Sequence, residues 1–255
     1  MNLRQRTLAD RNWLLALFGL WLVSRIVYCG LIGVQFDASP VRYYIQFVDP
    51  ALLKNDLWRS MFYLQDQPPG FNTFLGVYLK LFGDTAPIAF KITYWIFGLT
   101  YVFALWSAMR SIGVRRWLAF TTVSLFMISP GVVLLENWLF YTFPLGMGIG
   151  LAIYFLHRFL SEGEFVDAAG LAWTLTIVLF CRGTFHVLYL ALVLGGVALF
   201  RPAWRRTLLK AAAVPAVLIL GLYMKNFFVF GDWFPGQQLM DASLSVMIFR
   251  GLPPA

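Results

Sequence analysis

Long uninterrupted apolar runs constrain this chain more than any other feature of its sequence. A run of about 20 apolar residues can cross the hydrocarbon core of a bilayer as an α-helix. Only 13% of the residues are charged and the mean hydropathy is +0.72, whereas soluble domains carry about 25% charged residues. The sequence therefore predicts an all-α polytopic membrane protein of about seven transmembrane helices. The apolar runs occupy 12–34, 87–109, 117–135, 140–157, 166–181, 183–200 and 207–224.

Basic residues predict which ends of these helices share one side of the membrane. Arg4, Arg6 and Arg11 precede the first run and no small-residue cleavage site follows it, so we interpret that run as a retained signal anchor with a cytoplasmic N-terminus. Because basic loops favour the cytoplasm, the net charge of +8 indicates orientation rather than nucleic-acid binding. The other basic residues assigned to this side are Arg110, Arg115, Arg116, Arg158, Arg201, Arg205, Arg206 and Lys210.

A single transmembrane domain covering 1–255 is the simplest organisation, because no internal repeat or low-complexity linker divides the chain. Its predicted parts are a first span at 12–34, an outer loop at 35–86, six further spans within 87–224, and an outer tail at 225–255. The orientation also places the short segments 136–143 and 182–186 on the outer side. Cys29 and Cys181 fall near the outer ends of spans, where either a disulfide or two buried thiols would fit.

The outer loop is long and polar, and loops of this kind commonly carry function. Its segment 71–83 is too short to span, so we expect a re-entrant or interfacial helix there. Gln67, Pro68 and Pro69 precede that helix, and prolines fit a first helical turn. Such a rigid turn would position Gln67 and Asn72 for contact with a substrate.

Asp37 follows the first span, where its carboxylate would lie at the level of the lipid head groups. Partial desolvation would suit this carboxylate to act as a general base on a hydroxyl or amine. The structural alternative is a loop aspartate that starts a turn, since Ser39 and Pro40 follow.

Two further candidates are Arg25 and the aromatic turn at 136–144. Arg25 lies inside the first span, where a charge costs roughly 2.5–3.5 kcal/mol. It needs a structural partner, such as Glu136 or a backbone carbonyl, or it clamps a phosphate. Glu136, Asn137 and Tyr141 lie in the turn and are candidates for binding a sugar or acceptor, although aromatic belts are routine at this depth.

Arg182 and His186 lie at the junction of two predicted spans, on the side where basic residues are disfavoured. If a helix already includes both, their i, i+4 spacing places them on one face. With the hydroxyl of Thr184, they would suit a phosphate. The alternative is that Arg182 reaches to the interface while His186 is satisfied inside the bundle.

This layout resembles the GT-C superfamily of membrane glycosyltransferases, most nearly the family 39 type that includes protein O-mannosyltransferases and the aminoarabinose transferases of lipid A. The matching elements are Asp37, the pair Pro68 and Pro69, and the sequence Leu-Phe-Gly at 81–83. Two positions depart from the family pattern. Ala38 stands where many relatives have a second acid, and Gln67 stands where many have a histidine.

The resemblance implies a GT-C-like bundle that moves a sugar from a polyprenyl-phosphate donor to a lipid, glycan or protein acceptor at the outer face of a bacterial inner or plasma membrane. Asp37 would be the general base, Arg182, His186 and Arg25 would bind the donor phosphate, and the turn residues would contact sugar or acceptor. The resemblance firmly implies no cofactor, and although it is compatible with a divalent metal, no residue pattern supports one. The chain also has no glycine-rich phosphate loop, which fits a lipid-linked donor.

Two other functions stay open at this level. A carrier of a lipid-linked substrate would need polar residues near the midplane in repeated, broken helices. These spans are instead polar at their outer ends, although Pro130 and Pro144 leave room for a break. A scaffold subunit that kept the fold without the chemistry would explain the missing second acid at Ala38.

Overall fold

The computed structural model describes residues 3–44, 47–65, 67–231 and 233, with side chains from residue 10 onward. This part of the chain is helical and contains no β-strand. A π-helical turn at Ile26–Leu31 continues α1, and short 3₁₀ turns at Gly83–Thr85 and Pro202–Trp204 precede α6 and α12. The α-helices of the described chain are α1 (Leu3–Arg25), α2 (Pro40–Tyr43), α3 (Pro50–Asn55), α4 (Leu57–Phe62), α5 (Gly70–Phe82), α6 (Ala86–Ser111), α7 (Arg116–Ile128), α8 (Pro130–Glu136), α9 (Thr142–Glu162), α10 (Phe165–Cys181), α11 (Val187–Phe200) and α12 (Arg205–Phe230).

The helices support a membrane protein with fewer full spans than the sequence predicts. Among the described residues, four helical stretches are long and apolar enough to cross a bilayer, or five if α7 and α8 form one bent span. The runs at 166–181 and 183–200 become α10 and α11, which have 17 and 14 residues. The four longer stretches are Asp10–Leu31, Gly70–Ser111, Thr142–Glu162 and Pro202–Phe230.

Pro130 breaks the predicted span 117–135. Proline lacks an N–H and disfavours a helical conformation in the residue before it. Accordingly, Ser129 is extended (φ −63°, ψ 136°) and the axes of α7 and α8 differ by 61°. The break turns α8 away from the direction of α7, and α8 ends at Glu136.

The stretch Gly70–Ser111 folds back on itself at Gly83, whose φ of +51° suits glycine. The hydroxyl groups of Tyr78 on α5 and Thr93 on α6 lie 2.6 Å apart, and the Tyr78 and Phe90 rings stack. The segment 71–83 is therefore a separate helix that packs against α6. Its interfacial position stays a prediction.

The bundle has two chemically different ends. At the end that we call the basic end (residues 110–116, 158–164 and 201–206), the Asp10 carboxylate pairs with Arg110 and Arg116, at 3.2 and 2.7 Å. The Phe159 and Trp204 rings also meet there. At the opposite end, the site end (residues 36–48, 63–72, 136–142 and 181–187), residue 37 pairs with the turn after α8. The side of the membrane that each end faces stays a prediction.

The described part of the predicted outer loop, 35–86, folds into the short helices α2 to α5. The Asp49 side chain accepts a hydrogen bond from the Ala51 N–H and so caps α3. Leu53 and Leu57 are fully or almost fully buried beneath α5, where Gly76 leaves room for the Leu57 side chain. The buried residues of this loop share one hydrophobic core with the bundle, including Phe90 and Tyr94 of α6.

A substitution at Gly70 tests how tightly this loop packs against the bundle. A Cβ at this position would lie 2.6 Å from the Phe180 carbonyl oxygen, so Gly70→Ala should lower the free energy of unfolding by about 1–3 kcal/mol. Gly19→Ala is the control, because a Cβ at this α1 position meets nothing within 4 Å. Unfolding in detergent measures both, and an equal response would contradict the observed packing.

Candidate functional site

Asp37 is held in place by its main chain. Its N–H donates to the Asn137 carbonyl at 2.7 Å, and its carbonyl accepts from the Leu139 N–H at 2.9 Å. The side chain is exposed, and Oδ1 accepts from the N–H and the hydroxyl of Ser39. Within the described residues, Oδ2 has no hydrogen-bond partner. The backbone of Asp37 is thus fixed, and one of its two carboxylate oxygens is bound by Ser39.

A cavity of about 540 Å³ begins one residue beyond Asp37, at Ala38 and Ser39. Such a volume lies within the range of about 300–1,000 Å³ that is typical of small-molecule sites. Three charged side chains line it, from Arg42, Lys54 and Asp84, and none forms an ion pair with another described residue. The other lining residues are Val41, Pro50, Ala51, Leu79, Gly83, Ala86, Pro87 and Phe90.

Arg25 has structural partners, which is one of the two alternatives that the sequence left open. Its Nε and Nη2 donate to the two carboxylate oxygens of Glu136, and its Nη1 donates to the Ser24 hydroxyl and the Met127 carbonyl, both at 2.8 Å. Arg25 is 3% exposed and Glu136 is 0% exposed. Since the guanidinium is fully engaged inside the bundle, we interpret Arg25 as a positioning residue.

Glu136 and Asn137 also point into the protein. A Cβ at Gly98 would lie 2.7 Å from the Glu136 carboxylate, so this glycine on α6 makes room for the acid. The Asn137 amide nitrogen donates to the Val133 carbonyl at 2.9 Å, and Asn137 is 2% exposed. These two residues fix the turn that carries the bridge to Asp37, and neither lines the cavity.

Arg182 and Tyr141 form a second polar cluster at the site end. The Arg182 guanidinium lies 4.6 Å over the Tyr141 ring and donates to the Tyr141 hydroxyl, while its Nε donates to Thr184 at 3.3 Å. Burial raises the pKa of Tyr141 to about 12, against the opposing effect of the Arg182 charge. The phenol is therefore neutral at physiological pH and acts here as a hydrogen-bonding group, not as a base.

Arg182 and His186 do not share a helix face. α10 ends at Cys181, Arg182 is extended (φ −152°, ψ 124°), and α11 begins only at Val187. His186 caps α11, since its Nδ1 accepts from the Leu188 N–H at 3.3 Å. The condition for the predicted i, i+4 pair is thus not met, and the two side chains share a loop instead.

Gln67 and Asn72 lie on either side of the start of α5. Pro69 directly precedes the helix, as the sequence predicts, and Pro68 packs against Gly183. Asn72 is 2% exposed, and its Oδ1 accepts from the Val48 N–H at 2.9 Å. Asn72 therefore ties the outer loop to α5, whereas Gln67 is half-buried beside the proline pair.

The structure shows the state of the two cysteines and how the side chains that could bind a metal are grouped. Cys29 and Cys181 are both free thiols and half-buried, so of the two arrangements open to them the structure has thiols. In the part of the chain that the structure describes, no group of three His, Cys, Asp or Glu side chains is placed to hold a metal ion.

The cavity cations are candidate site residues that sequence reasoning missed. Arg42 and Lys54 are basic residues in a predicted outer loop, which the positive-inside rule disfavours. The same signal identified Arg182 and would have found them. Lys225 adds a further support, because its ammonium donates to the Leu64 carbonyl at 2.9 Å and so holds the end of α12 against the loop.

The Arg25 and Glu136 pair predicts a large loss of stability when only one partner is removed. Arg25→Ala leaves a buried, unpaired carboxylate and should cost about 3–5 kcal/mol of unfolding free energy, measured by denaturation in mixed micelles. The double variant Arg25→Met with Glu136→Leu should recover most of this loss. Arg115→Ala, at an exposed position, is the control. Equal stability of Arg25→Ala and Arg115→Ala would contradict a structural role for the pair.

Comparison of the chain with models of protein families, with curated proteins and with solved structures finds no match. The site is therefore characterised by its own geometry. It consists of the exposed Asp37, a cavity that begins at the next residue and is lined by two cations and the Asp84 carboxylate, and a buried ion pair between Arg25 and Glu136.

Proposed function

We propose that this chain is a membrane glycosyltransferase of the GT-C type, which moves a sugar from a polyprenyl-phosphate donor to an acceptor at the outer face of the membrane. One observation carries the proposal. Main-chain hydrogen bonds fix the backbone of Asp37, and the next two residues, Ala38 and Ser39, line a cavity of about 540 Å³ whose charged lining residues are Arg42, Lys54 and Asp84. A base and a phosphate-binding surface are the two elements that such a transfer needs.

In the proposed reaction, Asp37 removes the proton from the acceptor hydroxyl or amine as that group attacks the anomeric carbon. The bond between this carbon and the phosphate oxygen breaks, and the polyprenyl phosphate leaves with both electrons of that bond. The free Oδ2 of Asp37 is the oxygen that takes the proton. General-base catalysis by a positioned side chain contributes about 10²–10⁴-fold to such rates.

The phosphate is assigned to the cations that line the cavity. Arg42 and Lys54 line the cavity without an ion-pair partner among the described residues, so their charges are free to meet an anion. Arg182, with His186 in the same loop, is the second candidate for this role. Negative charge grows on the leaving oxygen, and cations in a partly water-excluded site stabilise it.

The remaining predicted residues divide into two groups. Tyr141 and Gln67 stay candidates for contact with sugar or acceptor, since both lie at the site end. Arg25, Glu136, Asn137 and Asn72 act through other residues, because their polar atoms are engaged inside the protein. They hold the turn and the loop that place Asp37.

A non-catalytic scaffold is the second candidate, and one observation favours it. The bonds from Ser39 to Oδ1 are those of a local turn, which is the structural alternative for Asp37. A scaffold needs this turn but not the second carboxylate oxygen. The two candidates therefore differ in how they respond to the loss of the Asp37 charge.

Asp37→Asn separates the two. An amide oxygen can still accept from Ser39 but the amide cannot remove a proton, so sugar transfer should fall by about 100-fold or more. Transfer is measured with purified protein in lipid, radiolabelled polyprenyl-phosphate sugars and total membrane acceptors. Asp56→Asn is the control, because Asp56 is an exposed aspartate of the same loop whose side chain makes no capping bond. Equal transfer by wild type and Asp37→Asn would exclude the catalytic assignment.

Arg42→Gln and Lys54→Gln test the phosphate assignment. Each should raise KM for the lipid-linked donor by about tenfold, the effect of one lost charge-assisted contact. Arg59→Gln, at an exposed position of α4 that does not line the cavity, should leave KM unchanged. An unchanged KM in both cavity variants would contradict this assignment and would favour Arg182 as the residue that binds the donor phosphate.

A further inference from the structure

We propose that a groove at the basic end, between α9 and α11, binds one anionic glycerophospholipid. The groove has a volume of about 500 Å³ and lies at the end of the bundle opposite to Asp37. Leu156 and Leu160 of α9 form one wall, and Val193, Gly196 and Val197 of α11 form the other. Arg201 lines the end of the groove.

The groove exists because α11 packs mainly against α10 and α12. Gly196 has no side chain to fill the space, and a Cβ there would meet nothing within 4 Å. α11 has 14 residues, a length of roughly 21 Å at 1.5 Å per residue, whereas the hydrocarbon core is about 30 Å thick. An acyl chain is flexible and apolar, so it fits an open groove of this shape.

The charge at the end of the groove selects the head group. The Arg201 guanidinium lies 5.2 Å over the Trp204 ring and forms no ion pair with any described residue. Among the described residues, no acidic side chain lines the groove. Neighbouring Arg205 already donates its Nε–H to the Ala198 carbonyl at 2.8 Å. Arg201 is therefore the cation that is available to a lipid phosphate.

An anionic lipid fits these features better than a second protein helix does. A helix from another copy would fill the apolar walls but leave the Arg201 charge without a counter-ion. A phospholipid satisfies both, because its acyl chain fills the groove and its phosphate pairs with the guanidinium. Basic pockets between transmembrane helices bind anionic head groups in this way.

Native mass spectrometry of the full chain tests the proposal, with phosphatidylglycerol and phosphatidylcholine of identical acyl chains as the probes. The wild type should retain one phosphatidylglycerol about tenfold more strongly than phosphatidylcholine, because both lipids carry a phosphate but the choline cation of phosphatidylcholine opposes its pairing with Arg201. Arg201→Gln should abolish this preference. Arg206→Gln, an exposed arginine that does not line the groove, should keep it.

A second pair of variants tests the groove itself. Gly196→Leu fills it and should lose the retained lipid, whereas Gly195→Leu, at a neighbouring glycine outside the lining, should keep it. Equal retention of both lipids by the wild type would overturn the proposal, and so would equal behaviour of the two glycine variants. A dimer that only Gly196→Leu disrupts would assign the groove to a second copy and also overturn it. None of these readouts depends on sugar transfer.

Discussion

The buried ion pair between Arg25 and Glu136 is the interaction on which the site end depends. Removing two charges from water costs several kcal/mol per ion, and only close, fully bonded geometry offsets that cost. Here the guanidinium binds both carboxylate oxygens, Ser24 and Met127, and Gly98 leaves the space that the acid needs. The pair joins α1 to the end of α8. The segment that follows α1 and the turn that follows α8 then meet in the bridge between Asp37 and Trp138.

From that anchor, the support of the site continues through bonds to the main chain. The buried Tyr94 hydroxyl donates to the Phe140 carbonyl at 2.8 Å, Asn72 accepts from the Val48 N–H, and Lys225 donates to the Leu64 carbonyl. A loop at the surface of a bilayer needs partners for its backbone groups. These side chains supply such partners, so the backbone of the outer loop around Asp37 and the cavity is held in place. The opposite end is ordered by different charges, with Asp10 between Arg110 and Arg116.

Local sequence signals predicted a large part of this arrangement. The apolar runs indicated a helical membrane protein, and the proline pair at 68 and 69 placed the start of α5. The same reasoning failed where a long apolar run does not form one continuous helix. The run at 117–135 is apolar throughout but Pro130 bends it by 61°, and the run at 183–200 yields only the 14 residues of α11 because the chain stays irregular to His186. Hydropathy averages over a window and does not register where a helix begins.

The sequence by itself determined the helical membrane class and the need of Arg25 for a partner, because each follows from the cost of placing a group in lipid. Only the tertiary structure decided which partner Arg25 has, since Glu136 is 111 residues away. It also brought Arg42, Lys54 and Asp84 around one cavity. Their convergence arises from the packing of α2, α3 and the turn after α5, and packing between distant segments leaves no periodic trace in the sequence.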